Sequence, residues 1–296
     1  MKSEIVLQAT RPAFLVLTPA CIFLGLSAAI AGQTLVSPMM AFLVLVGALC
    51  AHVSVNTLNE YYDFKSGLDL KTNKTKFSGG SGALPGHPHM AKAVLMIGLG
   101  SLVLTVLIGI AIVALRGFHI LPVGIVGVLL IVTYTQWINR WPFLCLITPG
   151  LGFGILMVVG TDVALSGSYS QLPWLLSLVP FFLTNNLLLL NQYPDREADA
   201  SVGRNTFPIA FGVTASNMVY AAFMTAAYLL ILVLTVSGRI PRLSAIALAP
   251  MVLSLFSLGG AVKYSFNIAD HPQFLATNVA AAILTPILLG MAIIVG

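Results

Sequence analysis

The chain contains nine acidic residues, and six of them sit in two short segments. One is NEYYDFKSGLD, with Glu60, Asp63 and Asp69; the other is NQYPDREAD, with Asp195, Glu197 and Asp199. Both begin with the same unit, Asn-x-x-x-Asp: Asn59 to Asp63, and Asn191 to Asp195. Residues four apart on a helix share a face. Asn59 therefore lines up with Asp63, and Asn191 with Asp195 and Asp199. Upstream, His52 and Asn56 extend the first stripe. Asp69 lies beyond a Ser66-Gly67 helix stop and returns from the loop, while Glu60 and Glu197 point away from the stripes and are given a weaker role. Clustered carboxylates raise each other's pKa unless they share a cation. Oxygen ligands without His or Cys suit Mg²⁺, which takes one or two carboxylates together with substrate phosphate oxygens. Lys65, Lys71, Lys74, Lys76, Arg140 and Arg204 are close enough in sequence to hold the rest of an anion. The residue types thus predict a Mg²⁺-bridged diphosphate.

The elements that must position these residues are membrane spans. Of the 296 residues, 58% are apolar and only 8% charged, against roughly 45–50% and 25% in a soluble domain. That excludes soluble, disordered and disulfide-rich secreted classes. The net charge of +5 is spread without a basic face or interleaved aromatics, so no nucleic-acid partner is expected. Cys21, Cys50 and Cys145 lie in apolar stretches and read as packing residues. Runs long enough to cross a bilayer fall at 12–32, 38–60, 91–115, 119–136, 144–165, 173–193, 214–236, 243–262 and 274–295. The expectation is an all-α integral membrane protein of nine transmembrane helices, forming a single domain over 1–296. With the N-terminus in the cytoplasm, eleven of the fourteen Lys and Arg face inside and only Arg116, Arg239 and Arg242 face outside, as the positive-inside rule asks. The two Asn-x-x-x-Asp units are then cytoplasmic, 132 residues and four spans apart. This spacing reads as a duplication, two four-helix halves plus one added helix, with motif loops at about 59–90 and 191–213. A diphosphate site over an apolar bundle fits a lipid diphosphate. The rival from another class is a cation-coupled transporter, whose acids belong near the bilayer midplane on broken helices; here they lie at helix ends.

The two segments resemble the paired aspartate motifs of the UbiA superfamily of intramembrane prenyltransferases. Finer features are similar to the branch that prenylates 1,4-dihydroxy-2-naphthoate in menaquinone synthesis. They are Arg11-Pro12 opening the first span, NEYYDFKSGLD, FSGGSGAL from Phe77 to Leu84, and NQYPDREADASVGRNTFPIAFG. PGLGFGILMVVGTDVALSG resembles a segment that usually carries Glu after Gly-x-Gly, where this chain has Phe153. Asp162, nine residues on, falls on the opposite face of a straight helix at 100° per residue. The resemblance implies a Mg²⁺-dependent transfer of a polyprenyl group from its diphosphate to an aromatic acceptor. Asp63, Asp69, Asp195 and Asp199 would be catalytic and metal-holding. Asn59, Asn191, Lys65, Arg140, Arg204, Arg11 and Tyr134 would bind substrate, with the Tyr134 ring facing the allylic cation. The 61–90 loop, with Gly79, Gly80 and Gly82, would be a lid that excludes water. Phe153 leaves other acceptors open: a hydroxybenzoate, a tetrapyrrole or a polar lipid.

Overall fold

The computed structural model describes residues 2–72, 74, 75 and 77–296, and the side chains from residue 4 onward; Lys76 lies outside the described residues. A short helix, α1 (Lys2–Ala9), precedes the bundle. The apolar helices follow as α2 (Pro12–Ala31), α3 (Pro38–Lys65), α4 (Pro88–Arg116), α5 (Leu121–Thr133), α6 (Pro142–Ser166), α7 (Gln171–Ser201), α8 (Phe207–Val236), α9 (Arg242–Asp270) and α10 (Pro272–Val295). Among the described residues, eight of these are long and apolar enough to span a membrane, and α5 with its leading turn (Phe118–Thr133) is a shorter apolar helix. The expected nine helices are therefore present, one of them short.

Several boundaries move outward from the hydropathy pattern. α3 continues to Lys65 and α7 to Ser201, so both motifs stand on the last turns of helices. α8 begins at Phe207, with Pro208 in its first turn and a kink at Gly212, where φ is 77° and ψ is 178°. Proline fits the first turn because its missing N–H has no partner there in any case. Hydropathy does not register these polar or kinked turns, which form because each helix is held by its neighbours.

Packing is uneven. The main buried cluster joins α2 and α6 to α10, with Leu24, Leu176, Leu190, Tyr193, Tyr220 and Leu289 fully buried within it. A buried polar chain ties the second half together. Asn186 Nδ2 donates to the Tyr220 carbonyl at 2.9 Å, Tyr220 Oη to Asn278 Oδ1 at 2.9 Å, and Asn278 Nδ2 to the Asn186 carbonyl at 3.0 Å. Such bonds between helices hold where lipid offers no hydrophobic drive. α4 and α5 are by contrast mostly unburied, and α5 has no buried residue.

α6 carries the main irregularity. Pro149 interrupts its backbone bonding, and Leu151–Leu156 takes a π-helical turn. Gly150 and Gly154 let this stretch lie against α7: a Cβ on either would meet the backbone of Phe181. Gly150 N also donates to Asn185 Oδ1 at 2.6 Å. The π turn brings Phe153 to the wall of the central cavity.

Candidate active site

One cavity of about 600 Å³ runs through the bundle. Along α3 its wall is a single face from Leu43 through Gly47, His52, Asn56 and Asn59 to Asp63, which at 1.5 Å per residue is about 30 Å, the thickness of a hydrocarbon core. α6 runs antiparallel beside it from Cys145 to Ala164. The deep part is apolar, closed by Ile22, Ile108, Ile112 and Ile120. The mouth is polar.

The mouth brings the two halves of the chain together. Asn59 Nδ2 donates to Asp63 Oδ2 at 2.8 Å, four residues on, as the helical spacing predicts. Thr135 Oγ1 donates to Asn59 Oδ1 at 3.0 Å and fixes the amide. Arg204 bridges the halves: Nη2 pairs with Asp63 Oδ1, and Nη1 with Asp199 Oδ1 at 2.9 Å. Burial works against the Arg204 charge, but the two aspartates outweigh it and raise its pKa. Asp195 Oδ2 accepts from the Gly79 backbone N–H at 2.9 Å, so the loop between α3 and α4, shorter than the expected 61–90 because α3 runs to Lys65 and α4 starts at Pro88, reaches the second motif.

Glu60 has a larger part than its helical position suggests. It does point away from the Asn59–Asp63 stripe, but it is fully buried and accepts from Ser81 N at 3.0 Å and from Ser81 Oγ at 2.5 Å. It also pairs with Arg11 Nη2 at 3.2 Å. Gln8 Nε2 and Lys74 Nζ both donate to the Ser81 carbonyl. The loop is thus held by Glu60 on one side and Asp195 on the other. Gly79, Gly80 and Gly82 all have φ near +70 to +77°, the left-handed region that glycine tolerates. At Gly80 a Cβ would sit 2.8 Å from Asp69 Oδ1. Burial pushes the Asp69 carboxyl up to about 8, and the charges of Glu60 and Asp63 push the same way.

Asp63, Asp69, Asp195, Asp199, Asn59, Asn191, Arg11, Arg204 and Tyr134 all line the cavity, as does Lys74. Lys65 and Arg140 are exposed and outside the lining, and Lys65 Nζ lies 5.9 Å from the centre of the Tyr61 ring. Lys71 reaches Ser201 Oγ at 3.3 Å on the surface, and Glu197 pairs with Arg196 there. Asp162 lies off the cavity, within 3.4 Å of Ser170 Oγ. Phe153 lines the cavity edge-on to His52, with ring centroids 4.6 Å apart; His52 Nδ1 is 2.8 Å from Thr18 Oγ1. Sequence reasoning missed Thr135, Gln192 and the Ser81 anchor, since no spacing rule links a loop to a distant helix.

The donor set fits Mg²⁺. Among the described residues no three carboxylate, imidazole or thiol side chains converge tightly enough to hold a metal unaided, so Mg²⁺ here would need phosphate or water oxygens to complete its shell. Yet Asp69 Oδ2, Asn191 Oδ1 and Asp195 Oδ1 are buried oxygens with no hydrogen-bond partner. Unmet acceptors of this kind call for a cation or a donor.

An apolar cavity through a bundle of membrane-length helices, with carboxylates at its mouth, is what an enzyme of intramembrane lipid chemistry needs. The chain belongs to the UbiA prenyltransferase family, whose profile matches residues 17–267. It is 28% identical over 238 residues to the 1,4-dihydroxy-2-naphthoate octaprenyltransferase of Bacillus subtilis, covering 79% of this chain and 75% of that one. It is 26% identical to the Haemophilus influenzae protein of the same description, covering 79% and 77%. A UbiA homologue from Archaeoglobus fulgidus, solved with DMAPP and Mg²⁺, superposes with a TM-score of 0.63 at 17% identity, covering 98% of both chains. The chain is accordingly a multi-pass membrane prenyltransferase.

Proposed function

We propose that this enzyme transfers a polyprenyl group from polyprenyl diphosphate to a hydroxylated aromatic acceptor, 1,4-dihydroxy-2-naphthoate or a close relative, with Mg²⁺ at the cytoplasmic mouth. The observation that carries this is the set of unpartnered carboxylate and amide oxygens at the head of a 30 Å apolar cavity. The descriptions of the two bacterial relatives support the acceptor class, and the diphosphate and Mg²⁺ in the archaeal structure support the donor half.

Asp63, Asp69, Asp195 and Asp199 would hold the metal through their oxygens, with Asn59 and Asn191 beside them. Bound Mg²⁺ would neutralise charge on the departing diphosphate. Arg204, Arg11 and Lys74 supply the remaining positive charge at the mouth. The allylic C–O bond breaks with its electron pair leaving on the diphosphate. The acceptor's ring π pair then forms the new C–C bond. The ring carbon's proton passes to a mouth carboxylate: Asp69 Oδ2 and Asp195 Oδ1 are the two carboxylate oxygens there that lack a donor, so one can take the proton while the other stays on the metal. The Tyr134 ring stands in the lining near this centre, where its face can stabilise an allylic cation. The glycine-rich loop, pinned by Glu60 and Asp195, keeps bulk water from the cation.

Phe153 is the one observation that favours a changed acceptor. An apolar ring stands where a carboxylate is usual in the resembling segment, and Asp162 is off the cavity. The test is mass spectrometry of membranes that contain the chain, given geranylgeranyl diphosphate, Mg²⁺ and a panel of naphthoic, hydroxybenzoic and other aromatic acids. Prenylated dihydroxynaphthoate is the expected product. Prenylation of a different ring alone would reassign the acceptor, and diphosphate left intact with every acceptor would overturn the reading.

A further inference from the structure

Gln192 neighbours the second motif but belongs to no part of it described so far. It lines the cavity, and its Oε1 is buried without a donor. The amide is not free to turn. Nε2 donates to the Cys145 sulfur at 3.3 Å, and the Cys145 thiol donates to Asn139 Oδ1 at 3.4 Å. Asn139 in turn accepts, through its carbonyl, the backbone N–H of Asn205 at 2.9 Å. Cys145 and Asn139 are both buried. This relay commits the amide nitrogen, and the oxygen is what remains for a ligand.

The adjacent Asn191 Oδ1 is also buried and unmet. Its counterpart in the first half, Asn59, has both ends of its amide engaged, by Asp63 and Thr135. At its motif the second half therefore has two buried amide oxygens without a donor, where the Asn59 amide of the first is engaged at both ends. Neutral oxygens repel a diphosphate. A cation is better served by the charged oxygens of Asp195 and Asp199 on the same helix than by a neutral amide. The chemistry that complements the amide oxygens is an O–H donor. The lining that leads from Cys145 into the cavity is Thr148, Pro149, Gly152 and Phe153, with Tyr134 also in the wall; these side chains are largely apolar and suit a ring.

We propose that Gln192, oriented by Cys145 and seconded by Asn191, positions the acceptor by accepting a hydrogen bond from its ring hydroxyl. This rests on the aromatic prenyltransferase reading above. It makes the hydroxyl a requirement for recognition and presents the ring beside Asp195, three residues along the same helix.

The test uses the full chain in lipid nanodiscs with geranylgeranyl diphosphate, Mg²⁺ and 1,4-dihydroxy-2-naphthoate, together with the two mono-O-methyl ethers of that acid. Gln192→Leu keeps the size and removes the acceptor oxygen. KM for the dihydroxy acid should rise about tenfold or more, because a site built to bind a hydroxyl is left unpaired. KM for the diphosphate should stay within about twofold. The unaltered chain should discriminate strongly against one methyl ether, and Gln192→Leu should lose that discrimination. Cys145→Ala, which frees the amide to rotate, should give an intermediate rise in acceptor KM. Equal KM changes for both substrates, or undiminished discrimination in Gln192→Leu, would overturn the assignment while leaving the prenyltransferase reading intact. Absence of any prenylated product from the unaltered chain would overturn that reading and this assignment with it.

Discussion

The two aspartate motifs look alike in sequence but are in different states of readiness. In the first, Asn59 is locked between Asp63 and Thr135, and Asp63 is charge-compensated by Arg204. In the second, Asp195 has one backbone donor from a loop, and Asn191 Oδ1 and Asp195 Oδ1 have none. Only Asp199 is compensated, and by the same Arg204. The first Asn-x-x-x-Asp unit is a preorganised anchor; the second is completed by what binds to it, as is Asp69 beyond the first, whose Oδ2 is also unmet. Two units of the same sequence pattern thus differ, one rigid and one receptive, and one arginine from the loop after the second spans both.

The largest expected effect comes from removing either anchor. Asp63→Ala and Asp195→Ala should each abolish turnover while the protein remains folded and inserted, because a carboxylate facing the diphosphate is lost. Near-normal rates in either variant at saturating Mg²⁺ would end the assignment of that motif. The comparison also predicts a difference: Asp63→Ala should lower thermal stability as well, since it breaks the Arg204 bridge and strands Asn59, whereas Asp195→Ala should leave stability nearly unchanged.

Next come the groups that hold the loop. Glu60→Gln weakens the tie to Arg11 and Ser81, and Gly80→Ala puts a Cβ against Asp69 in a left-handed conformation. Outer supports of this kind are worth roughly 10–100-fold in activity. Limited proteolysis should show the loop between α3 and α4 cut faster in both, and unchanged cleavage with unchanged rate would remove the loop from the mechanism.

A smaller effect is set by pH. With Asp69 pushed up to about 8, the metal-free protein holds a proton there at neutral pH that the ordinary carboxylate would have lost. Raising pH from about 4 through 8 should therefore cost the apo fold stability, since the unfolded chain binds fewer protons over that window. Mg²⁺ needs the ionised form, so its affinity should rise with pH over the same window and level off above 8. Calorimetry at pH 7 in buffers of different ionisation enthalpy should detect proton release on binding; none would place Asp69 outside the metal's ligands. The smallest effect is expected at Lys65 and Arg140. Both are outside the cavity, and Ala at either should leave KM for the diphosphate within about twofold, the range of a screened surface charge.

The bundle was readable because a bilayer imposes simple rules on length and polarity, and because stripes such as Asn59–Asp63 follow from helix period alone. The roles of Glu60 and Gln192 were not. Glu60 faces off its stripe as the period says, but what it meets is a loop 21 residues away, and only the closed tertiary structure brings them together. Phe153 and Asp162 show a second limit. A straight helix places them on opposite faces, and the structure does put one on the cavity and the other off it, but the π turn between them breaks the even step on which that arithmetic depends. Arg204 was nominated as a diphosphate clamp among six similar charges; nothing in a linear charge pattern distinguishes the one that bridges two carboxylates.

The short helix α5 has a mechanical consequence. At 13 residues it is about 20 Å long, against a hydrocarbon core of about 30 Å. It forms one wall of the cavity through Val123, Gly124, Gly127 and Val128 and has no buried residue. Phe118 and Trp137, both exposed, flank it three and four residues beyond its ends. The bilayer must thin there or α5 must shift along its normal, at a fraction of a kcal/mol per Å of mismatch. Bilayer thickness is thereby coupled to the width of the cavity, and turnover in vesicles should fall as the acyl chains of the host phospholipid are lengthened.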